Sequence, residues 1–167
     1  MSKLRLAEHG FAPNLFDKLF DDSPRLMSEI NPLRRLNIDE LKASVAKDLE
    51  ALFNSRRSFQ HQLDDYPLVQ ASVLNFGILD FVGLSSANPM DCAQICYEIE
   101  RTISQHDPRL RQVNVSIDLQ NGRVNALSFS IQALLVVHPA QEHVTFDAVL
   151  QPSSQQYSVQ HNQTAMI

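Results

Sequence analysis

Glycine is scarce, with four residues in a chain of 167, and no phosphate-cradling Gly-rich loop is present. Cysteine is scarcer still, limited to Cys92 and Cys96. Four apart on a predicted helix, they share its apolar face, so buried, reduced thiols are expected in place of a disulfide framework or a metal pair. No apolar run is long: the longest, Ala133 to Val137, is far too short to span a membrane. There is no basic excess. The net charge is −5, which excludes a general nucleic-acid binder, and the pairs Arg34-Arg35 and Arg56-Arg57 come without a set of aromatics for stacking bases. The first residues, Met1-Ser2-Lys3-Leu4-Arg5-Leu6, lack an apolar h-region and a cleavage site, so no signal peptide is expected and a cytoplasmic location is. Repeats and low-complexity blocks are also missing. What is there is ordinary globular material, 44% hydrophobic and 20% charged, in a chain long enough to bury a core without disulfides or metal.

Local signals divide the chain. Residues 1–37 read as an arm, with one short amphipathic helix in Pro13 to Phe20 before Pro24 and Pro32 interrupt it. Asn37 is a good N-cap with Glu40 three residues on, a capping box that opens a helix from about Ile38 to Phe53. Leu41, Val45, Leu49 and Leu52 recur on one face of it. Residues 58–90 are irregular. Within them Ser72-Val73-Leu74-Asn75-Phe76-Gly77 ends in a glycine free to take positive φ, and Phe76, Ile78, Leu79 and Phe81 are apolar enough to require packing on the core. A second helix is expected from Pro89 to Gln105, capped by Asn88, with Cys92, Ile95, Cys96, Ile99 and Ile103 as its apolar stripe.

The remainder alternates as strands do. Val113, Val115, Ile117 and Leu119 point one way, and Asn121-Gly122 follows as a hairpin turn. A long return strand runs from about Val124 to Val137, apolar on both faces at its end, where Leu134 and Val136 predict a second cover. After a turn at His138 to Gln141, Val144, Phe146 and Ala148 begin a third strand, and residues 156–160 form a short fourth or edge strand. The expected fold class is α+β. A small, mostly antiparallel β-sheet from the C-terminal half packs against two main helices, with the arm at 1–37, one domain over 38–160 and a flexible tail at 161–167.

Catalytic chemistry finds no foothold. The acids Asp39, Glu40, Asp48, Glu50, Glu98 and Glu100 read as solvated helix-surface groups, and Glu98 and Glu100, two apart, do not face each other. There is no Gly-x-Ser-x-Gly elbow. His138 and His143 flank a turn but lack a third ligand, so no metal or cofactor is expected. The join His106-Asp107-Pro108-Arg109-Leu110 stands out instead. Proline must stop the helix near Asp107 and holds Arg109 on a stiffened backbone. From these residues alone a surface ion pair at a helix stop and a docking point are equally open. The Arg56-Arg57 pair suits forked contacts with carboxylates at an interface.

Five stretches, in order, then carry a resemblance. They are Asn14-Leu15-Phe16-Asp17-Lys18-Leu19; Asp48 to Arg57; Ser72 to Gly77 with Asp80-Phe81; Asp107-Pro108-Arg109-Leu110; and Val144-Thr145-Phe146-Asp147 leading to Tyr157-Ser158-Val159. Together they resemble the TssE family of type VI secretion baseplate wedge subunits and the lysozyme-like wedge proteins of contractile phage baseplates. The family's Glu-Pro-Arg hallmark reads Asp107-Pro108-Arg109 here, one methylene shorter at the acid, and its usual Thr is Ser55. The resemblance implies a non-enzymatic structural subunit in a cytoplasmic wedge with TssF, TssG and TssK, templating the first ring of the TssB/TssC sheath. It implies partner contacts at Asp107, Pro108 and Arg109. A strand edge near 142–150 or 156–160, with Val144, Phe146, Tyr157 and Val159, would then receive a sheath strand by β-addition; Arg56 and Arg57 join this candidate set. The label "lysozyme-like" leaves a peptidoglycan-cleaving muramidase as the alternative, against which the missing export signal and missing acid–nucleophile pair both count.

Overall fold

A computed structural model describes residues 10–19, 25, 35–57, 65–70, 72–81, 88–117, 127–138, 140–151, 154 and 156–162. Packing divides the chain into two units, Met1–Val45 and Ala46–Ile167. The expected hairpin turn at Asn121-Gly122 and the tail beyond Asn162 lie outside the described residues.

The first unit holds α1 (Leu15–Leu19) and the opening turns of α2 (Ile38–Asn54). Asn14 caps α1, its Oδ1 accepting from the Asp17 N–H at 2.6 Å. Ser44 Oγ then donates to Asp17 Oδ2 at 2.6 Å, and a bridge pairs Phe11 with Leu36. So the α1 portion of the expected arm is tied to α2 by polar side chains, while Leu15 and Leu19 face solvent. The predicted capping box of α2 is complete: the Glu40 N–H donates to Asn37 Oδ1 and the Asn37 N–H to Glu40 Oε2, both at 2.8 Å.

In the second unit, α3 (Pro67–Gln70) and a 3₁₀ turn (Val73–Asn75) precede α4 (Pro89–His106). α4 starts where Asn88 caps the Met90 N–H and Pro89 takes the first position. It stops at Asp107, whose N–H donates to the Ile103 carbonyl. Four antiparallel strands follow, β1 (Leu110–Ile117), β2 (Ser128–Val137), β3 (Ala140–Gln151) and β4 (Gln156–His161), in the order β1-β2-β3-β4. The fold is α+β as expected. Ile95, Ile99 and Ile103 of α4, Leu49, Leu52 and Phe53 of α2, and Phe129, Ile131, Leu135, Phe146 and Ala148 of the sheet are all buried. Phe53 meets Tyr157 edge to face at 5.8 Å.

Three details differ from expectation. β3 begins at Ala140 and pairs with β2 without interruption to Val149, so the turn at His138 is tighter and the strand longer than the Val144-Phe146-Ala148 alternation suggested. β1 begins at Leu110 and carries a bulge: Gln112 and Val113 together oppose Ala133, with Gln112 at φ 51°. Leu134 and Val136 are half-buried and not fully buried as a second cover would make them; Leu134 lies in a row between Arg111 and His143, whose side chains share its face.

Candidate assembly site at the helix–strand join

Asp107 closes α4 and Arg109 opens β1, and the proline between them forces the turn. The Arg109 guanidinium grips the Asp107 carboxylate with two parallel bonds, Nε to Oδ1 at 2.8 Å and Nη2 to Oδ2 at 2.7 Å. The Arg109 N–H adds a third to Oδ1 at 3.1 Å. Nη2 also donates to Asp48 Oδ2 on α2 at 2.7 Å, and the Arg109 carbonyl accepts the Val136 N–H of β2 at 2.8 Å. One residue thus ties together both long helices and two strands. Asp107 is buried, only 5% exposed, whereas the Asp48 and Arg109 side chains are about a third and a quarter exposed. The fork to Asp107 and the second bond to Asp48 hold the guanidinium proton far above its ordinary value. The shorter acid completes a two-bond fork. The ion pair at this join is present, as a clamp inside the unit, and Pro108 is exposed.

The Asp48 to Arg57 stretch turns out to be a row of tertiary fasteners. Asp48 holds Arg109. Glu50 Oε2 accepts the Val159 N–H at 2.9 Å. Asn54 accepts the Tyr157 N–H at 2.8 Å and donates to the Tyr157 carbonyl at 2.9 Å. The Arg57 N–H donates to the Ile78 carbonyl, and its buried guanidinium reaches Glu98 at 3.3 Å. Gly77, at φ 108°, lets this crossing close, because a Cβ there would lie 2.5 Å from the Ser55 carbonyl oxygen. The acids read as solvated are therefore mostly engaged: Glu98 by Arg57, and Glu100 by the Val115 N–H at 2.8 Å. Sequence alone missed these roles because each partner lies far along the chain. The one available signal was their position beside apolar residues in the Asp48 to Arg57 stretch.

The Ser72 to Gly77 loop is pinned to the end of α4. Buried Asn75 donates to the Gln70 carbonyl, which the Gln105 side chain also meets. His106 Nε2 lies 3.1 Å from the Asn75 carbonyl and its ring packs edge-on to Phe76. Burial holds the His106 imidazole below its usual value. Ile78 is buried as expected and Leu79 and Phe81 are half-buried, but Phe76, expected to pack on the core, is exposed along with Val73 and Leu74.

The remaining candidates separate clearly. Val144, Phe146, Tyr157 and Val159 direct their side chains into the core, leaving only their backbone for a strand partner. The strand edge expected over 142–150 is an edge only in part, because β3 lies between β2 and β4. The edge expected at 156–160 is occupied at Tyr157 and Val159 by α2. Arg57 is buried, while Arg56 is exposed. Among the described residues no group of three or more His, Cys, Asp or Glu side chains converges, and no helix is long and apolar enough to cross a membrane.

The join and the Asp48 to Arg57 row thus fasten the helices of this α+β unit to its own sheet. The chain belongs to the baseplate wedge protein gp25 family, whose model matches residues 39–140. That is the family of TssE, and its role is structural. The match takes in α2, the Ser72 to Gly77 loop, the Asp107-Pro108-Arg109 clamp and β2. No curated protein matches the chain.

Proposed function

We propose that this chain is the TssE-type wedge subunit of a type VI secretion baseplate, a non-enzymatic part that joins the wedge to the contractile sheath. It would work in the cytoplasm beside TssF, TssG and TssK and start the first TssB/TssC ring by accepting a strand. Membership of the wedge family supports the structural role. The observation that carries the strand mechanism is the length of β3. Its pairing with β4 runs from Gln151 back to Phe146, with a last bond from the Asn162 N–H to the Thr145 carbonyl. β3 itself continues to Ala140. Alternate residues turn their N–H and C=O to the same side, so those of Gln141 and His143 face the β4 side, where no described strand pairs with them. This is the part of the expected 142–150 edge that remains an edge. Exposed Pro108 and Arg56, with the partly exposed Arg109 next to Pro108, would meet a wedge partner.

A proline at His143 tests the strand mechanism. It removes one outward N–H and leaves the β2–β3 ladder intact, whereas proline at Val144 would break that ladder. The variant is expected to fold, to co-purify with TssF and TssG, and to fail to nucleate TssB/TssC sheath. Normal sheath nucleation by folded His143→Pro would overturn the mechanism.

A further inference from the structure

Both outer strands of the sheet are met by a helix whose side chains bond their outward backbone groups. On β4, Glu50 and Asn54 of α2, four residues apart, bond the backbone of Val159 and Tyr157, two residues apart. On β1, Glu100 of α4 accepts the Val115 N–H, and Cys96, again four residues away, lies near the backbone of Ile117, again two residues on. In each case the helix runs antiparallel to the strand. The spacing has a physical basis. Four helical residues rise about 6.0 Å, and two strand residues advance about 6.6 Å, so side chains at i and i+4 fall beside alternate outward amides. Each helix therefore occupies the place of a further strand, with side-chain acceptors standing in for backbone carbonyls.

An outer strand with unpaired amides is a template for pairing with another chain. β4 carries no charge or proline of its own to deter pairing: Gln156 to His161 contains no Lys, Arg, Asp, Glu or Pro. Its alternation of buried Tyr157 and Val159 with polar neighbours would suit a second sheet equally well. We propose that the Glu50–Asn54 pair on β4 and Glu100 on β1 are edge guards that keep these strands from joining the same strands of a second copy of this chain. The inference concerns the chain by itself and does not depend on the baseplate assignment.

The test uses the full chain alone. Sedimentation is followed across a concentration series for wild type, Glu50→Ala, the Glu50→Ala/Asn54→Ala pair and Glu100→Ala. Glu50→Gln serves as the conservative control, since its amide oxygen still accepts. Hydrogen exchange at Tyr157, Val159 and Val115 is read in parallel, with the Ile131 amide as the gauge of folding. The wild-type edge amides are expected to be protected, and Glu50→Ala should exchange about five- to tenfold faster at Val159, the factor for one lost hydrogen bond. The alanine variants should shift from 18.9 kDa toward the mass of two chains or more as concentration rises, while Glu50→Gln should follow wild type. If the double variant fails to fold, the single variants decide. Folded alanine variants that stay at the wild-type mass throughout, or wild-type amides at Tyr157 and Val159 that exchange freely, would overturn the proposal.

Discussion

Replacing Arg109 with alanine is expected to unseat the fold before it unseats any partner. Asp107 is buried and would keep only the backbone N–H of residue 109 out of three bonds. Stripping the partner from a buried charge costs about 3–5 kcal/mol. The low end applies here, about 3 kcal/mol, because the guanidinium is partly open to water and the retained N–H still serves the acid. For a chain of this size that lowers the melting temperature by roughly 10 °C. Asp48→Ala removes the partly exposed contact to Arg109, a loss of about 0.5–1 kcal/mol. Arg109→Lys keeps the charge but loses the fork, so it should fall between the two. Thermal and urea unfolding of the three variants, followed by circular dichroism, gives the ranking. An Arg109→Ala protein within about 0.5 kcal/mol of wild type, the range of an ordinary surface change, would refute this reasoning and return Arg109 to the role of a free docking group.

Three further outcomes are expected. Gly77→Ala should cost at least about 2 kcal/mol in urea unfolding, since it combines a positive φ with a Cβ placed against the Ser55 carbonyl. Stability should decline as pH falls below the usual imidazole value of 6.5, because burial lowers the folded His106 pKa and the unfolded chain then binds the proton more readily; His106→Gln should flatten that part of the melting-temperature profile. Burial, with Glu100 adding to it, raises the Cys96 thiol pKa, so iodoacetamide at neutral pH should label Cys96 more slowly in the folded chain than in urea, read by peptide mass mapping.

The helices were legible because their signals are local. Asn37 with Glu40, and Asn88 with Pro89, announce their helices within four residues, and Pro108 announces where α4 must end. The alternation of β2 was legible for the same reason. The fasteners were not. Asp48 and Arg109 are 61 residues apart, and Glu50 and Val159 are 109 apart. An acid on a helix looks the same in sequence whether it faces water or an outward strand amide, since both positions border the apolar stripe. The Asp107-Pro108-Arg109 join could be recognised as special, yet its local residues held no sign that a third group, Asp48, would close it. The length of β3 was hidden by Gln141, Glu142 and His143, whose polarity resembles a turn but which a paired strand accepts.

The bulge in β1 has a consequence of parity. Leu110 and Val115 are both buried, yet they stand an odd number of residues apart on a strand whose sides alternate. A regular strand would send one of them to water. Doubling up Gln112 and Val113 against Ala133 turns five steps into an even count and returns Val115 to the interior. Leu110 has no freedom to compensate, because the clamp immediately before it sets the phase in which β1 begins. Deleting one residue between Arg111 and Asn114 would therefore act like a frameshift in space: every position from Val115 onward would exchange inside for outside, although no other letter of the strand had changed.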